Sequence, residues 1–298
     1  MSSQDSSSSG VNYTAVPLDP PSLVKTAFPL DDLAEARVAS NREAIANIFG
    51  GLDKRLLLII CARSVHDRHT AAAFAADLSD LQAVLPAAFV VGQIIPARLD
   101  IRTPRAILLE IGQHGVPAAA EFEDIYHSAY ESDAMSWATL NREFILHGNY
   151  GSTYGMGFPS GLLMPFGIDT ELNYLETGRA IVREARRPAW YLGPNDDGEQ
   201  CQIKSDGNAN GSVILHYSDD YDLAPISRQL SVDGIPHLVR LNITQSERET
   251  PAMLGEKLSA LMRLRQDSTA LEGLYVSSLA AAWLGDIHEH LVPALNAG

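Results

Sequence analysis

The chain has 298 residues, 46% of them hydrophobic, and carries 22 Lys plus Arg against 37 Asp plus Glu, a formal net charge of -15. That length suffices for one large α/β domain or two small ones whose core needs no covalent staples. The negative charge excludes nucleic acid and anionic lipid as natural partners and speaks against a polyanionic ligand, and no apolar stretch is long enough to span a bilayer.

The N-terminal MSSQDSSSSG lacks the basic and apolar regions of a secretory signal, and a disordered tail is expected over residues 1–15. Residues 16–51 carry proline punctuation and then apolar side chains at helical spacing: Leu33, Ala36, Val38, Ala44, Ile45 and Ile48, closed by Gly50 and Gly51. This predicts an arm and one helix. Two cysteines, Cys61 and Cys201, allow at most one disulfide and no tetrahedral thiolate cluster, which fits a reducing, cytoplasmic setting.

Residues 52–298 change character, with eight short apolar runs separated by amphipathic segments and by Gly, Pro or Asp. The runs are RLLLIIC from Arg55, AAFVVGQII from Ala87, VPAAAEF from Val116, AMSWATL from Ala134, GLLMPFGI from Gly161, SVILHY from Ser212, HLVRLNI from His237 and GLYVSSL from Gly273. Helical stretches such as TAAAFAADLSDLQAVL and PAMLGEKLSALMRLRQ lie between them. Eight βα units in this length predict an α/β fold of the TIM (β/α)8 barrel type, with its site where the strands end. A doubly wound open sheet is the alternative, but no glycine-rich phosphate fingerprint follows the first strand. The turn-rich AWYLGPNDDGEQCQIKSDGNANGS predicts a hairpin before the sixth strand.

Taken in order, PPSLVKTAFPL, RLLLIICARSVHD, HGVPAAAEFED, AMSWATL and DGNANGSVILHY resemble the metal-dependent class I 3-deoxy-D-arabino-heptulosonate 7-phosphate (DAHP) synthases, over nearly the whole chain after residue 16. The resemblance implies a TIM barrel and an enzyme family that condenses phosphoenolpyruvate with erythrose 4-phosphate on a divalent metal. It also implies that the groups serving that chemistry have been replaced. Arg63 stands at the place of the metal-binding cysteine of Gly-Pro-Cys-Ser-Ile-His-Asp, Gln245 at that of the histidine of Asp-Phe-Ser-His, and Ser277 at that of the glutamate. The final aspartate belongs to a loop shortened between Leu279 and Trp283. On the phosphoenolpyruvate side, Ile95-Pro96-Ala97-Arg98 resembles the Lys-Pro-Arg-Thr loop, and Arg142 lies one place out of register with the arginine of Gly-Ala-Arg-Thr. Ile168 is assigned the place of the lysine of Gly-Phe-Lys-Asn-Gly, and His216 that of the arginine of Leu-Arg-Gly-Gly. Phosphate recognition rests on charge-assisted bonds from Arg and Lys, and a glutamine amide is a poor stand-in for imidazole on a metal. The expectation is a degenerate member with no bound metal and no cofactor that does not make the family's product.

Three residues are candidates for acid/base work: His216, Glu121 and His66. An imidazole in place of a guanidinium permits proton transfer where only anion binding existed, although drift after loss of function gives the same residue. Glu121 ends the third strand as a candidate base, or else pairs with a barrel cation such as Arg63 or Arg240. His66 follows the first strand at the barrel rim, the alternative being that Asp67 caps the next helix while His66 packs beneath the loop. Arg63, Gln245, Arg98, Arg142, Asn242, Ser277 and Tyr154 are the candidate substrate-binding residues, Tyr154 in an aromatic, glycine-rich loop that also suits an oligomer contact. The reading is a repurposed, metal-independent enzyme acting on a small organic substrate by acid/base or cyclisation chemistry, as a homodimer or homotetramer. Two alternatives stay open: an inactive partner in hetero-assembly with an active DAHP synthase, and a synthase retaining its activity through an unusual metal site.

Overall fold

Strand β1 (Leu56–Ala62) is buried at all seven positions, the pattern of a parallel strand covered on both faces. Its side chains divide by parity. Leu57, Ile59 and Cys61 belong to one apolar cluster, and Leu56, Leu58, Ile60 and Ala62 to another. The computed structural model describes residues 17–62, 64–95, 100–122, 125–141, 164–243, 251–267, 271–278 and 293. The tail expected over residues 1–15 lies outside them.

The other barrel strands are β2 (Ala88–Ile94), β3 (Ala118–Phe122), β4 (Trp137–Leu140), β5 (Phe166–Thr170), β8 (Gly211–His216), β9 (His237–Ile243) and β10 (Leu271–Ser278). All neighbours pair in parallel, and β10 returns to β1 to close an eight-stranded barrel. Each of the eight apolar runs in the sequence contributes one strand. The hairpin is also as expected: β6 (Ala189–Pro194) and β7 (Gln200–Ser205) form a two-stranded antiparallel sheet before β8.

Helices α3 (Arg68–Val84), α4 (Thr103–Gln113), α5 (Ile125–Glu131), α6 (Leu175–Ala185), α7 (Ala224–Val232) and α8 (Pro251–Asp267) alternate with the strands. Their buried faces, including Phe74, Leu78, Ile107, Ile111, Ile181 and Leu230, join the outward-facing strand residues in the larger cluster. The barrel interior is the smaller cluster: Leu57, Ile59, Phe89, Val91, Ala119, Trp137, Ile214, Leu238 and Tyr275. Trp137 fits there because Gly167 faces it; a Cβ on Gly167 would come within 2.7 Å of the indole.

The arm provides α1 (Pro21–Ala27) and α2 (Asp32–Phe49). Asp31 caps α2 by accepting a bond from the Ala34 amide at 2.8 Å, and the helix stops at Gly50 as the sequence predicts. Ile45 and Ile48 enter the interior cluster, and Phe49 meets Trp137 edge to face with centroids 5.9 Å apart. Arg42 fixes the helix by donating to the carbonyls of Ser132 (2.6 Å) and Met135 (2.9 Å). The amino-terminal end of the barrel is thereby closed, which leaves the carboxyl end as the mouth.

Candidate functional site

Towards the mouth the inward positions change from apolar to polar. Gln93 on β2, Glu121 on β3, Thr139 on β4, Asp169 on β5, His216 on β8, Arg240 on β9 and Tyr275 on β10 follow the apolar interior residues at the two-residue period of a strand. Register pairs His216 with Arg240, Arg240 with Tyr275, and Glu121 with Thr139.

Asp169 is the centre of this group. Its Oδ1 lies 2.5 Å from Nε2 of His216, and its Oδ2 accepts a hydrogen bond from Nη1 of Arg240. Arg240 also donates from Nε to Oδ1 of Asn242 at 2.9 Å and lays its guanidinium over the Tyr275 ring, 4.7 Å from the centroid. Burial opposes the charge on Arg240, but Asp169, with Tyr275 and Glu121 adding to it, holds its pKa above the ordinary arginine value. Below the guanidinium a buried chain of hydrogen bonds fixes the ring. Trp137 Nε1 donates to Thr139 Oγ1 at 3.0 Å, Thr139 to Gln93 Oε1 at 2.8 Å, and Gln93 Nε2 to the Tyr275 hydroxyl at 2.6 Å. Burial pushes the Tyr275 phenol well above its usual range, so it remains a neutral wall.

The His216 side chain is 28% exposed while Asp169 is 8% exposed, so the ring reaches from a buried ion pair toward the opening. A carboxylate only accepts, so in neutral His216 the proton sits on Nε2 and the Nδ1 lone pair is basic. The arrangement is that of an imidazole oriented by a buried acid, able to take a proton at Nδ1 and hold the resulting cation beside Asp169.

The structure treats the sequence-predicted residues differently. Glu121 faces inward and accepts a bond from Asn141 Nδ2 at 3.1 Å, and its charge acts on Arg240 across the mouth. The carboxylate hydrogen-bonded to Arg240 is Asp169. His66 is exposed instead of packed beneath the loop, with its Nδ1 2.6 Å from the Ser64 carbonyl, and no described hydrogen bond links it to the Asp169 group. The helix-capping alternative holds for its neighbour: Asp67 and Thr70 form a capping box at the start of α3, and bonds from Thr70 hold the Asp67 carboxyl below the usual carboxylate range. Asn242 is exposed and tied to Arg240; Ser277 is buried on β10, in register with Cys61 and Asn242. Neither Cys61 nor Cys201 is in a disulfide. Arg63, Arg98, Arg142, Tyr154 and Gln245 lie outside the described residues.

Ile168 requires correction. It is packed in the outer cluster with the helices, next to Gly178 of α6, and the inward residue of this strand is Asp169. Parity therefore puts a carboxylate, not an aliphatic side chain, at the mouth position read as the family's lysine. Asp169, Gln93 and Tyr275 were missed by sequence reasoning, and Arg240 entered it only as a counterion. The signal available for two of them was a charged residue inside an otherwise apolar run, Asp169 in FGIDT and Arg240 in HLVRLNI.

The donor chemistry of the described mouth residues does not suit the divalent cation that the resemblance implies. Ser277 offers a neutral hydroxyl, the Asp169 carboxylate is engaged on both oxygens, and the Arg240 guanidinium lies against it. Among the described residues no three of His, Cys, Asp and Glu converge on one point. A divalent ion needs several anionic or imidazole donors and is repelled by an adjacent guanidinium.

The chain is 28% identical over 294 residues to the Tyr-sensitive phospho-2-dehydro-3-deoxyheptonate aldolase of Escherichia coli K12, covering 87% of this chain and 80% of that one. It is 26% identical to the Phe-sensitive enzyme of the same organism over 76% of this chain and 72% of the relative. Phospho-2-dehydro-3-deoxyheptonate aldolase is another name for DAHP synthase. The chain is homologous to the DAHP synthases. The solved phospho-2-dehydro-3-deoxyheptonate aldolase of Francisella tularensis SCHU S4 superposes on this chain with a TM-score of 0.78 at 16% identity, covering 95% of this chain and 98% of that one, a match that concerns the fold. No family model matches the chain. Among the described residues of this DAHP synthase relative no helix is long and apolar enough to cross a membrane.

Proposed function

We propose that this homologue of the DAHP synthases has lost the condensation for which its relatives are named and performs metal-independent acid/base chemistry, including ring closure, on a small organic substrate, in a specialised biosynthetic route. The observation that carries the reading is the 2.5 Å contact between His216 Nε2 and Asp169 Oδ1 at the barrel mouth, with Arg240 on the other carboxylate oxygen. His216 removes a proton from the substrate at Nδ1 and returns it later, Asp169 orients the ring and stabilises its cationic form, and Arg240 holds the other carboxylate oxygen of Asp169 in place. Glu121, across the mouth, is the second proton-transfer group.

Two features favour a working pocket over a barrel kept only as a scaffold. Its upper inward layer is polar, with Gln93, Glu121, Thr139, Asp169, His216 and Arg240, where a scaffold is free to fill the space with apolar side chains. The described mouth residues also carry charges of both signs, Arg240 against Glu121 and Asp169, which a barrel kept only as a scaffold has no need to hold together. The enzyme is cytoplasmic in this reading, free of cofactor, and a homodimer or homotetramer.

Two experiments test the proposal. The purified chain, assayed with phosphoenolpyruvate and erythrose 4-phosphate with and without divalent metals, is expected to consume neither; metal-dependent consumption of both overturns the loss of synthase activity. Gentle purification from the host followed by native mass spectrometry is expected to yield a homo-oligomer carrying an organic ligand, which the wild type converts and His216→Ala and Glu121→Gln do not. Unaltered conversion by both variants removes the assignment. Recovery at fixed stoichiometry with a second barrel chain, without ligand, makes the protein a partner subunit.

A further inference from the structure

We infer that a second small-molecule site, separate from the mouth, lies at the closed end of the barrel between α2 and α4, and that it takes a compact carboxylate with an apolar body and a second hydrogen-bonding group at its far end. A groove of about 200 Å³ opens there. Leu30, Val38, Leu109 and Val116 supply apolar walls. A cavity of about 150 Å³ accommodates benzene, so this one fits a six-membered ring with a small substituent at each end.

Three polar side chains line the groove without described partners. Ser136 is fully buried, and its Oγ makes no hydrogen bond. Native structures seldom leave a buried hydroxyl in that state, which points to a ligand group at the floor of the groove. Asn41, half-buried, has no described hydrogen bond, and Arg37, exposed at the lip, has no described hydrogen bond or ion pair. Their neighbours differ: Arg42 binds two carbonyls, and Arg105 binds the carbonyls of Phe28 and Tyr130 and the carboxylate of Asp133. A cation at the lip and a hydroxyl at the floor select a ligand with a carboxylate at one end and a hydroxyl or carbonyl at the other.

The backbone keeps this space open. Gly112 lies in the last turn of α4, and a Cβ built on it meets nothing within 4 Å. No packing contact in the described structure calls for a glycine there, and a larger side chain would enter the groove.

The test is titration calorimetry of the full chain with 4-hydroxybenzoate as the probe, benzoate lacking the far hydroxyl, and 4-hydroxybenzyl alcohol lacking the carboxylate. The wild type is expected to bind 4-hydroxybenzoate saturably and more tightly than either analogue. Gly112→Leu is expected to weaken the probe by about tenfold or more without lowering the melting temperature, because leucine fills the groove and favours the helix. Arg37→Gln is expected to weaken both carboxylates and spare the alcohol, and Ser136→Ala to bring the probe down to the affinity of benzoate. No saturable binding by the wild type, or undiminished binding by Gly112→Leu, overturns the site. His216→Ala must bind the probe as the wild type does, so this proposal and the acid/base reading of the mouth fail independently.

Discussion

His216 and Asp169, 47 positions apart in the chain, meet at 2.5 Å because β5 and β8 are adjacent in the barrel although the hairpin separates them in sequence. The pairing fixes which imidazole nitrogen faces the opening, and it follows that Asp169→Asn lowers turnover of the native substrate by about a hundredfold or more per folded molecule, alongside a loss of stability because Arg240 loses its buried counterion. An asparagine can donate to Nε2 and so stabilises the wrong tautomer. Nitrogen NMR of labelled histidine checks this directly: the wild type shows Nε2 protonated, and the variant loses that preference.

Arg240 and Asp169 are 7% and 8% exposed, so removing one leaves the other as a buried charge. Arg240→Met is expected to destabilise the protein by about 3–5 kcal/mol, and adding Asp169→Leu to recover most of that loss, because two apolar residues are better tolerated there than one unpaired carboxylate. Urea unfolding of both single variants and the double variant gives the coupling.

Acid sensitivity has a separate source at the start of β9. His237 is fully buried, 2.6 Å from the hydroxyl of Ser227, and burial lowers its pKa from 6.5 to about 4. Between these values the unfolded chain takes up a proton that the folded chain refuses, so stability falls as pH drops from about 6.5 towards 4 and the loss reaches about 3 kcal/mol. Urea midpoints measured at about pH 7.5, 5.5 and 4.5 should fall less steeply in His237→Gln, which keeps a partner for Ser227 without the titration.

Gly167 is a packing requirement of the interior. Gly167→Ala places a methyl group 2.7 Å from Trp137 Cζ2 and 2.8 Å from Ile214 Cδ1, and overpacking of this kind costs about 1–3 kcal/mol. Thermal unfolding is expected to show the loss, and Trp137→Phe in the same chain to relieve part of it.

The legibility of the sequence differs between the fold and the site. RLLLIIC and AAFVVGQII read as strands because a run largely apolar at both parities fits a strand buried on both faces, and α2 reads as a helix from the spacing of Ile45 and Ile48 and the Gly50 stop. The same double burial hides which parity faces the barrel axis. In FGIDT nothing local distinguishes an inward Ile168 from an inward Asp169, and a shift of one residue exchanges the two faces. His216 and Glu121 were legible because they stand at strand ends, where the mouth must be. The exposure of His66 was not legible, since it depends on how the turn before α3 leaves the barrel.

Eight strands, their alternation with helices, the hairpin before the sixth and the likeness to the DAHP synthases were all readable along the chain, because hydrophobic periodicity and the order of motifs are local properties. Folding was needed to place Asp169 between His216 and Arg240, Tyr275 beneath the guanidinium, and Gly112 on a groove beside Ser136. These relations depend on closing β10 onto β1, which sets the angular position of every strand around the axis and turns residues far apart in the chain toward a common space.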